Sequence, residues 1–253
     1  MRSRAGRGRV VLVGAGPGDP ELITLRGLRE LRTADVVVYD RLVDERLLDE
    51  APSHAERIYA GKEPGRHAMS QDEINRILVD RAGRGLKVVR LKGGDPLTYG
   101  RGEEECLYVA SHGIPCTIVP GVPSFTAAAA RAMAPLGSRL GSSVFTVATG
   151  TRAGGAVNTE AARSLEYSDT LVLLMATRRL EEIAAEAARV RGWEAPAVAV
   201  VEATMPGERV IRTSLQGLVE AARGGTVRNP AVVIIGGAAG VSRRLHTVIH
   251  GPI

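Results

Sequence analysis

The chain has 253 residues, of which 44% are hydrophobic and 24% charged, and its formal net charge is +5. This composition excludes a chain that is disordered over most of its length, and no apolar run approaches the roughly 18 residues that a membrane span needs, so we predict no membrane association. The length fits one large α/β domain or two of ordinary size, each able to bury a core.

The excess positive charge lies at the start of the chain. Four arginines and no acidic residue fall within the first nine positions, and basic and acidic side chains nearly balance over the rest. We therefore expect residues 1–9 to form a basic, disordered tail. A nucleic-acid arm is the alternative, but the tail has no aromatic side chain to stack on bases, so we predict no nucleic-acid partner.

Cys106 and Cys116 are the only two cysteines of the chain. Two cysteines cannot build a disulfide framework, and the sequence opens without a signal-like segment. We therefore expect a reducing, cytoplasmic setting, with both cysteines as small core residues.

Strand and helix patterns alternate through the first half. Short β-branched runs predict parallel strands at residues 10–13, 36–39, 57–60, 86–91 and 116–119. Helices are expected at residues 21–32, 70–84 and 103–111, the second of which begins with a capping box formed by Ser70 and Glu73. This alternation predicts an α/β domain over residues 10–119, with helices covering a mostly parallel sheet.

The second half alternates in the same way. Strands are predicted at residues 144–148, 170–175, 197–201 and 231–235, and helices at 178–191 and 214–223. Residues 208–213 fit an additional strand that would make this sheet mixed. Residues 120–123 hold two prolines and a glycine and are the expected linker, so the second α/β domain is assigned to residues 124–253.

Glycine or a charged residue follows every predicted strand of the first half. The five segments are Gly14 to Pro20, Asp40–Arg41, Gly61–Lys62, Lys92 to Pro96, and Pro120–Gly121. Parallel strands deliver such loops to the same edge of a sheet, where ligands of open α/β sheets bind. The sequence therefore predicts a ligand site at this edge.

The first of these loops does not fit a dinucleotide. The third glycine of that fingerprint is required at position 19, which is Asp19, and Pro17 has no N–H to offer a phosphate. In the fourth loop, Gly93 and Gly94 permit close approach of a ligand to the backbone. The carboxylate of Asp95 either accepts from a ligand hydroxyl or amino group or forms an Asp-Pro turn.

Three long motifs resemble the signatures of the tetrapyrrole methylases. They are Val-Leu-Val-Gly-Ala-Gly-Pro-Gly-Asp-Pro-Glu-Leu-Ile-Thr-Leu at residues 11–25, Arg-Leu-Lys-Gly-Gly-Asp-Pro at 90–96 with Tyr-Gly-Arg-Gly-Glu-Glu at 99–104, and Val-Pro-Gly-Val-Pro-Ser at 119–124. The resemblance extends over about residues 10–237. It implies two α/β domains, the first with a mostly parallel and the second with a mixed sheet, and a ligand cleft between them.

The resemblance also implies S-adenosylmethionine as the methyl donor and no metal. The residues that match the donor contacts of the family are Pro17, Gly93, Gly94, Asp95, Thr98, Pro123, Ser124, Met175, Ala203 and Ala231. The activated sulfonium methyl group needs neither a metal nor a covalent nucleophile. It needs an acceptor carbon held in line at near-attack distance.

Residues 39–43 and 60–62 are most similar to family members that methylate uroporphyrinogen III twice, giving precorrin-2 for sirohaem or cobalamin. By this resemblance Asp40 is the proton acceptor and Lys62 the proton donor. Such members are dimers, so a homodimer is expected.

The implied substrate is a polycarboxylate, so basic side chains should surround it. We assign substrate binding to Arg41, Arg101 and Arg139, with Arg66 and Arg90 as further candidates near the strand ends. The second half departs from the family pattern, because Gly137-Ser138-Arg139 replaces Thr-His-Arg, Glu202-Ala203-Thr204 replaces Asn-Gly-Thr, and the last strand ends without its acidic residue.

Three other functions remain open from the sequence. One is a methylase of a later precorrin, one is an RNA or diphthamide-pathway methylase of the same superfamily, and one is a non-catalytic S-adenosylmethionine sensor. His246 and His250 stand four residues apart, but no third ligand is near them in sequence, so we predict a solvent-facing tail there and no metal site.

Overall fold

The computed structural model describes residues 8–61, 69–152 and 154–251, and the chain divides into two compact units, Met1–Ser124 and Phe125–Ile253. Each unit is built on a five-stranded sheet. Most of the expected tail, residues 1–7, lies outside the described residues, but Arg9 is already the first residue of a strand.

The first unit is an α/β layer structure. Its strands are β1 (Arg9–Gly14), β2 (Val36–Tyr39), β3 (Glu56–Tyr59), β4 (Lys87–Lys92) and β5 (Cys116–Val119), and its helices are α1 (Leu25–Leu31), α2 (Gln71–Gly83) and α3 (Gly102–Ser111). The strand order is β3-β2-β4-β1-β5, and every pairing is parallel. The predicted parallel sheet is confirmed.

Both faces of this sheet are buried, because alternate residues of each strand pack into different cores. Val11 and Val13 of β1 belong to one apolar cluster, whereas Val10 and Leu12 belong to another, which also contains Leu78 of α2. Continuous β-branched runs are what a strand buried on both faces requires. This burial fixes the register and therefore the edge at which each strand ends.

Two helix starts show how local sequence sets the boundaries. The capping box of α2 is present, since Ser70 Oγ accepts from Glu73 N and Ser70 N donates to Glu73. The single helix predicted for residues 21–32 is wrong. A 3₁₀ turn at Pro20–Leu22 is followed by α1, which begins only after Thr24 because the hydroxyl of Thr24 caps Gly27 N at 3.0 Å.

The second unit contains a mixed sheet, as predicted. Its strands are β6 (Phe145–Thr149), β7 (Thr170–Leu174), β8 (Pro196–Val201), β9 (Arg209–Ser214) and β10 (Ala231–Gly236), in the order β6-β7-β10-β8-β9. Only the pairing of β6 with β7 is parallel, and β9 is the additional strand expected near residues 208–213.

Five helices complete the chain. They are α4 (Ser124–Arg131), α5 (Thr159–Arg163), α6 (Leu180–Arg191), α7 (Leu215–Arg223) and α8 (Gly237–His250). Within the described ranges, none of the eight helices is long and apolar enough to cross a membrane.

The segment around His246 and His250 faces solvent for the most part, as expected, but the predicted tail is wrong because both residues lie on α8. This helix opens at Gly237, a poor helix former, and tertiary contacts fix its first turn: Gly237 N donates to Asp169 O at 2.7 Å and Ala238 N to Thr170 Oγ1 at 2.9 Å. Among the described residues, no three His, Cys, Asp or Glu side chains gather as metal ligands do.

The two cysteines form a disulfide between α3 and β5, with their Cα atoms 5.6 Å apart. The expectation of two unbonded core thiols is therefore wrong. The helix and the strand are consecutive elements that pack against each other, and this brings Cys106 and Cys116 within bonding reach.

A partly buried ion pair fastens the end of α1 to the start of β4. Lys87 Nζ lies 2.8 Å from Glu30 Oε2 and also donates to Thr33, while Lys87 N donates to Asp35 Oδ2 at 2.7 Å. The hydrogen bond from Lys87 lowers the pKa of the Glu30 carboxyl below its usual value. The side chain of Lys87 is only 9% exposed, so solvent screens this pair weakly.

Glu30→Gln should lower the free energy of unfolding at neutral pH by about 1–2 kcal/mol, because it leaves a buried ammonium without its counter-charge. The pKa of Glu30 is lower in the folded chain than in the unfolded one. The contribution of the pair is therefore complete above the unfolded value and is lost as pH falls through the folded one. Urea unfolding at a series of pH values measures the difference, which should shrink toward acid pH.

Glu50→Gln is the matched control, because the Arg32–Glu50 pair is exposed on both sides. Its effect should stay below about 0.5 kcal/mol. An equal loss in both variants would show that burial of Lys87 does not strengthen the pair.

Candidate active site

Three loops meet at the carboxyl edge of the first sheet. Gly16 and Gly94 exchange backbone hydrogen bonds of 3.2 and 2.7 Å, which join the loop after β1 to the loop after β4. The loop after β5 is attached by Gly121 N, which donates to Asp95 Oδ2 at 3.1 Å. The sequence predicted five loops at this edge, and the structure joins these three.

The three loops touch backbone to backbone. A Cβ atom added at Gly14 would lie 2.5 Å from Gly121 Cα, and one added at Gly121 would lie 2.3 Å from Gly94 O. Any side chain at Gly14 or Gly121 would push the loops apart.

Gly94 differs from these two glycines because an added Cβ there would meet only ordinary van der Waals contacts. It has φ of +71°, which favours glycine, and the nearest atoms to an added Cβ are Ser124 N at 3.7 Å and Pro123 Cα at 4.0 Å. The backbone of Gly94 thus lies beside Pro123 and Ser124, two further predicted donor contacts. Gly93 is adjacent in the chain, and Pro17 follows Gly16, which is bonded to Gly94.

The carboxylate of Asp95 braces this edge. Its Oδ1 accepts from Leu97 N at 2.9 Å and from Thr98 Oγ1 at 3.2 Å, and its Oδ2 accepts from Gly121 N. These bonds form the Asp-Pro turn that the sequence left as an alternative. Asp95 and Thr98 therefore shape the loop from within, and their contact with a methyl donor stays a prediction.

Asp40 lies beside this edge, directly after β2, and contacts buried charged side chains. Its Oδ1 accepts from Arg90 Nη2 at 2.5 Å, and its Oδ2 lies 3.9 Å from Lys92 Nζ. Arg90 and Lys92 both reach Glu105 of α3, at 3.3 and 2.9 Å. Desolvation by burial lowers the pKa of the Lys92 ammonium, and the charge of Arg90 lowers it further.

This arrangement corrects the role considered for Arg90. The sequence offered it as a candidate for binding substrate carboxylates, but its side chain is 2% exposed and its guanidinium holds Asp40 and Glu105 instead. Sequence reasoning missed Glu105 altogether. The only available signal was its place in the Glu103-Glu104-Glu105 run at the start of the predicted helix.

The other basic candidates of the first unit are less enclosed. Arg41 is exposed and follows Asp40, and Arg101 is half-exposed and paired with Glu104 at 2.6 Å. Tyr99 and Arg101 both adopt left-handed backbone conformations, with φ of 54° and 59°, and such strain is often found at functional sites. Lys62 and Arg66 lie outside the described residues.

In the second unit, three predicted donor contacts share one edge of the mixed sheet. Met175 follows β7, Ala203 follows β8, and Ala231 begins the antiparallel strand β10 between them. Met175 has φ of 52°, and Glu202 and Thr204, which flank Ala203, have φ of 50° and 64°. Backbone strain is thus concentrated at the edge that holds these residues.

Arg139 is exposed in the loop before β6 and lies away from this edge. Gly141 of the same loop contacts Gly237, which follows the far end of β10. Within the second unit, the structure does not bring Arg139 together with Met175, Ala203 and Ala231, and its role in substrate binding stays a prediction.

An α/β fold with glycine-rich loops at strand ends and a half-exposed carboxylate beside them is an arrangement that a methylase can use. Residues 9–219 match the family model described as Tetrapyrrole (Corrin/Porphyrin) Methylases, and the chain belongs to this family.

Two curated relatives match over most of their own length and share one name. The uroporphyrinogen-III C-methyltransferase of Methanocaldococcus jannaschii is 44% identical, with 90% of this chain and 96% of that protein covered. The protein of the same name from Paracoccus denitrificans is 42% identical, with 96% and 85% covered.

Solved structures agree with this grouping. The uroporphyrin-III C-methyltransferase of Thermus thermophilus, complexed with S-adenyl homocysteine, is 43% identical and has a TM-score of 0.77. The match covers 92% of this chain and 100% of that one. The cobalt precorrin-4 methyltransferase CbiF is 30% identical with a TM-score of 0.82, and 94% of this chain and 99% of that one are covered.

Gly121→Ala should lower the free energy of unfolding by roughly 1–3 kcal/mol, because the new methyl group would overlap Gly94 O and Gly14 Cα. Gly83→Ala in α2 is the control, since an added Cβ there meets nothing within 4 Å, and it should cause no loss. Chemical unfolding of both variants gives the comparison. A change below about 0.5 kcal/mol at Gly121 would contradict the tight loop contact.

Proposed function

We propose that the chain is an S-adenosylmethionine-dependent methyltransferase that methylates uroporphyrinogen III twice and gives precorrin-2, which feeds sirohaem or cobalamin synthesis. The observation that carries the proposal is identity of 42–44%, over nearly the full length of both chains, to two uroporphyrinogen-III C-methyltransferases. The strand-end loops and Asp40 supply the groups that this reaction needs.

The arrangement of the loops in the first unit supports a place for the methyl donor. The backbone of Gly94 lies beside Pro123 and Ser124, and it is hydrogen-bonded to Gly16, which precedes Pro17. We assign donor binding to Pro17, Gly93, Gly94, Asp95, Thr98, Pro123 and Ser124, with Met175, Ala203 and Ala231 contributed by the second unit. When bound, S-adenosylmethionine supplies a methyl group activated by the sulfonium charge.

Asp40 is the proposed proton acceptor. Methylation of a pyrrole carbon leaves a cationic ring that must lose a proton, and a positioned carboxylate removes it. Asp40 is 32% exposed, so it reaches solvent while Arg90 fixes one of its oxygens. Lys62 is the proposed proton donor, and Arg41, Arg101 and Arg139 are the proposed contacts for substrate carboxylates.

A methylase of a later precorrin is the second candidate. The similarity to CbiF, with its TM-score of 0.82, favours this alternative, but that chain is only 30% identical, against 43% for the Thermus thermophilus enzyme. An RNA or diphthamide-pathway methylase, or a non-catalytic sensor, has no comparable support.

Incubation with uroporphyrinogen III and S-adenosylmethionine should give a product heavier by two methyl groups, identified by mass and absorbance. EDTA should leave the rate unchanged, since we propose that no metal takes part.

Asp40→Asn should lower turnover by about 100-fold or more, because the reaction loses the base that removes the proton. The affinity for S-adenosylhomocysteine, measured by calorimetry, should stay near the wild-type value.

Lack of turnover on uroporphyrinogen III, together with methylation of a later precorrin, would establish the second candidate. Donor binding without methylation of any tetrapyrrole would instead indicate a sensor. Wild-type turnover in Asp40→Asn would remove this residue from the mechanism.

We also propose a homodimer that works in the cytoplasm. An apolar groove of about 560 Å³ on the second unit is lined by residues of α4 and by Phe145 and Leu245, both partly exposed, and is suited to a second copy. Light scattering should give twice the mass of one chain, and a single-chain mass would contradict the dimer. Fractionation of a cell extract should recover the chain with the cytoplasmic proteins, and recovery in another compartment would contradict this location.

A further inference from the structure

Four charged side chains form one connected cluster beneath the strand-end loops. Arg90 joins Asp40 to Glu105, and Lys92 contacts Glu105 and approaches Asp40. The exposed fractions are 2% for Arg90, 5% for Lys92 and 0% for Glu105, against 32% for Asp40. Three buried charges therefore support one carboxylate that reaches solvent.

The guanidinium of Arg90 is fixed on several sides. Nη2 donates to Asp40 Oδ1 at 2.5 Å, Nε lies 3.3 Å from Glu105 Oε1, and Nη1 lies 3.4 Å from both Val38 O and Leu91 O. Val38 belongs to β2, the strand that Asp40 follows, and Leu91 belongs to β4. This planar group is thus locked to the sheet, and it holds the Asp40 carboxylate in one orientation.

Glu105 is not arranged as stability alone would favour. Its Oε1 accepts hydrogen bonds from Lys92 Nζ at 2.9 Å, from Gln71 Nε2 at 3.1 Å and from Arg90 Nε. Its Oε2 is fully buried and has no hydrogen-bond partner among the described residues. A buried ion cluster is often no more stable than apolar residues of similar volume, and an unpaired carboxylate oxygen adds a further cost. The position therefore points to a role outside stability.

The formal charges of the cluster also balance, because two carboxylates face two cations. Arg90 therefore supplies Asp40 with a fixed positive partner, while Glu105 supplies a buried counter-charge for Arg90 and Lys92.

We propose that Arg90 and Glu105 are positioning residues for the reaction: Arg90 orients the proton-accepting carboxylate of Asp40, and Glu105, which also binds Lys92, holds Arg90 in place. The inference rests on the proposed function, because it assigns these residues to the proton-removal step of that reaction. Neither residue contacts the substrate. Both act through Asp40.

A double-mutant cycle tests this coupling. Arg90→Lys keeps the charge but cannot bridge two carboxylates, and Glu105→Gln keeps the shape but loses the counter-charge. Each variant should lower kcat by roughly 10- to 100-fold, with KM for S-adenosylmethionine changed less than about threefold. In an Asp40→Asn background, either change should have little further effect, because the residue through which it acts is gone.

Arg81→Lys is the matched control, since Arg81 pairs with Glu56 on another part of the unit and should leave kcat unchanged. Melting curves and S-adenosylhomocysteine affinity verify that each variant is folded. Equal fold-losses in the wild-type and Asp40→Asn backgrounds would overturn the inference, because Arg90 and Glu105 would then act independently of Asp40.

A crystal structure of Arg90→Lys provides a readout that needs no substrate. The Asp40 carboxylate should change its orientation, because the hydrogen bond from Arg90 Nη2 that fixes it is lost. An unchanged orientation of the Asp40 carboxylate would overturn the inference. The proposed function fails separately, if the wild-type enzyme does not methylate uroporphyrinogen III. In that case the position of Asp40 in Arg90→Lys still decides whether Arg90 orients it.

Discussion

Backbone contact among Gly14, Gly94 and Gly121 is the interaction on which the site of the first unit depends. The parallel sheet delivers the loops after β1, β4 and β5 to one edge, and they touch there because Gly14 and Gly121 have no side chains. The carboxylate of Asp95 then ties two of the loops together. A single rigid surface results from three segments that are far apart in sequence, and such rigidity is what alignment of a methyl donor with its acceptor demands.

A second constraint acts next to this surface. Asp40 leaves the sheet after β2 and is anchored by Arg90, which is itself held by Glu105 of α3. The carboxylate proposed as the proton acceptor is therefore positioned by strands and a helix rather than by its own loop. In the second unit, the predicted donor contacts Met175 and Ala203 also lie at one sheet edge. Met175 itself and the two residues that flank Ala203 adopt left-handed backbone conformations there. Each unit thus places its predicted donor contacts at one edge of its sheet, whereas Arg139 lies elsewhere.

Patterns that depend on neighbouring residues were predictable from the sequence. The β-branched runs predicted the parallel strands, and Ser70 with Glu73 predicted the start of α2. The motif residues around Gly94 predicted a site at the carboxyl edge of the first sheet. Features set by distant contacts were not. Helix α8 begins with glycine and is fixed by Asp169 and Thr170, and the burial of Glu105 depends on Arg90 and Lys92, which lie on a strand beneath its helix. Neither arrangement leaves a local signal.

We infer that the loops at the carboxyl edge of the first sheet bind the methyl donor. Hydrogen–deuterium exchange with and without S-adenosylhomocysteine is the sharpest test of this inference, because exchange is measured separately for each segment. Amides in residues 14–20, 92–98 and 121–124 should exchange more slowly when the ligand is bound, and those at the exposed end of α2 should be unchanged. Unaltered exchange in all three loops at saturating ligand would contradict it.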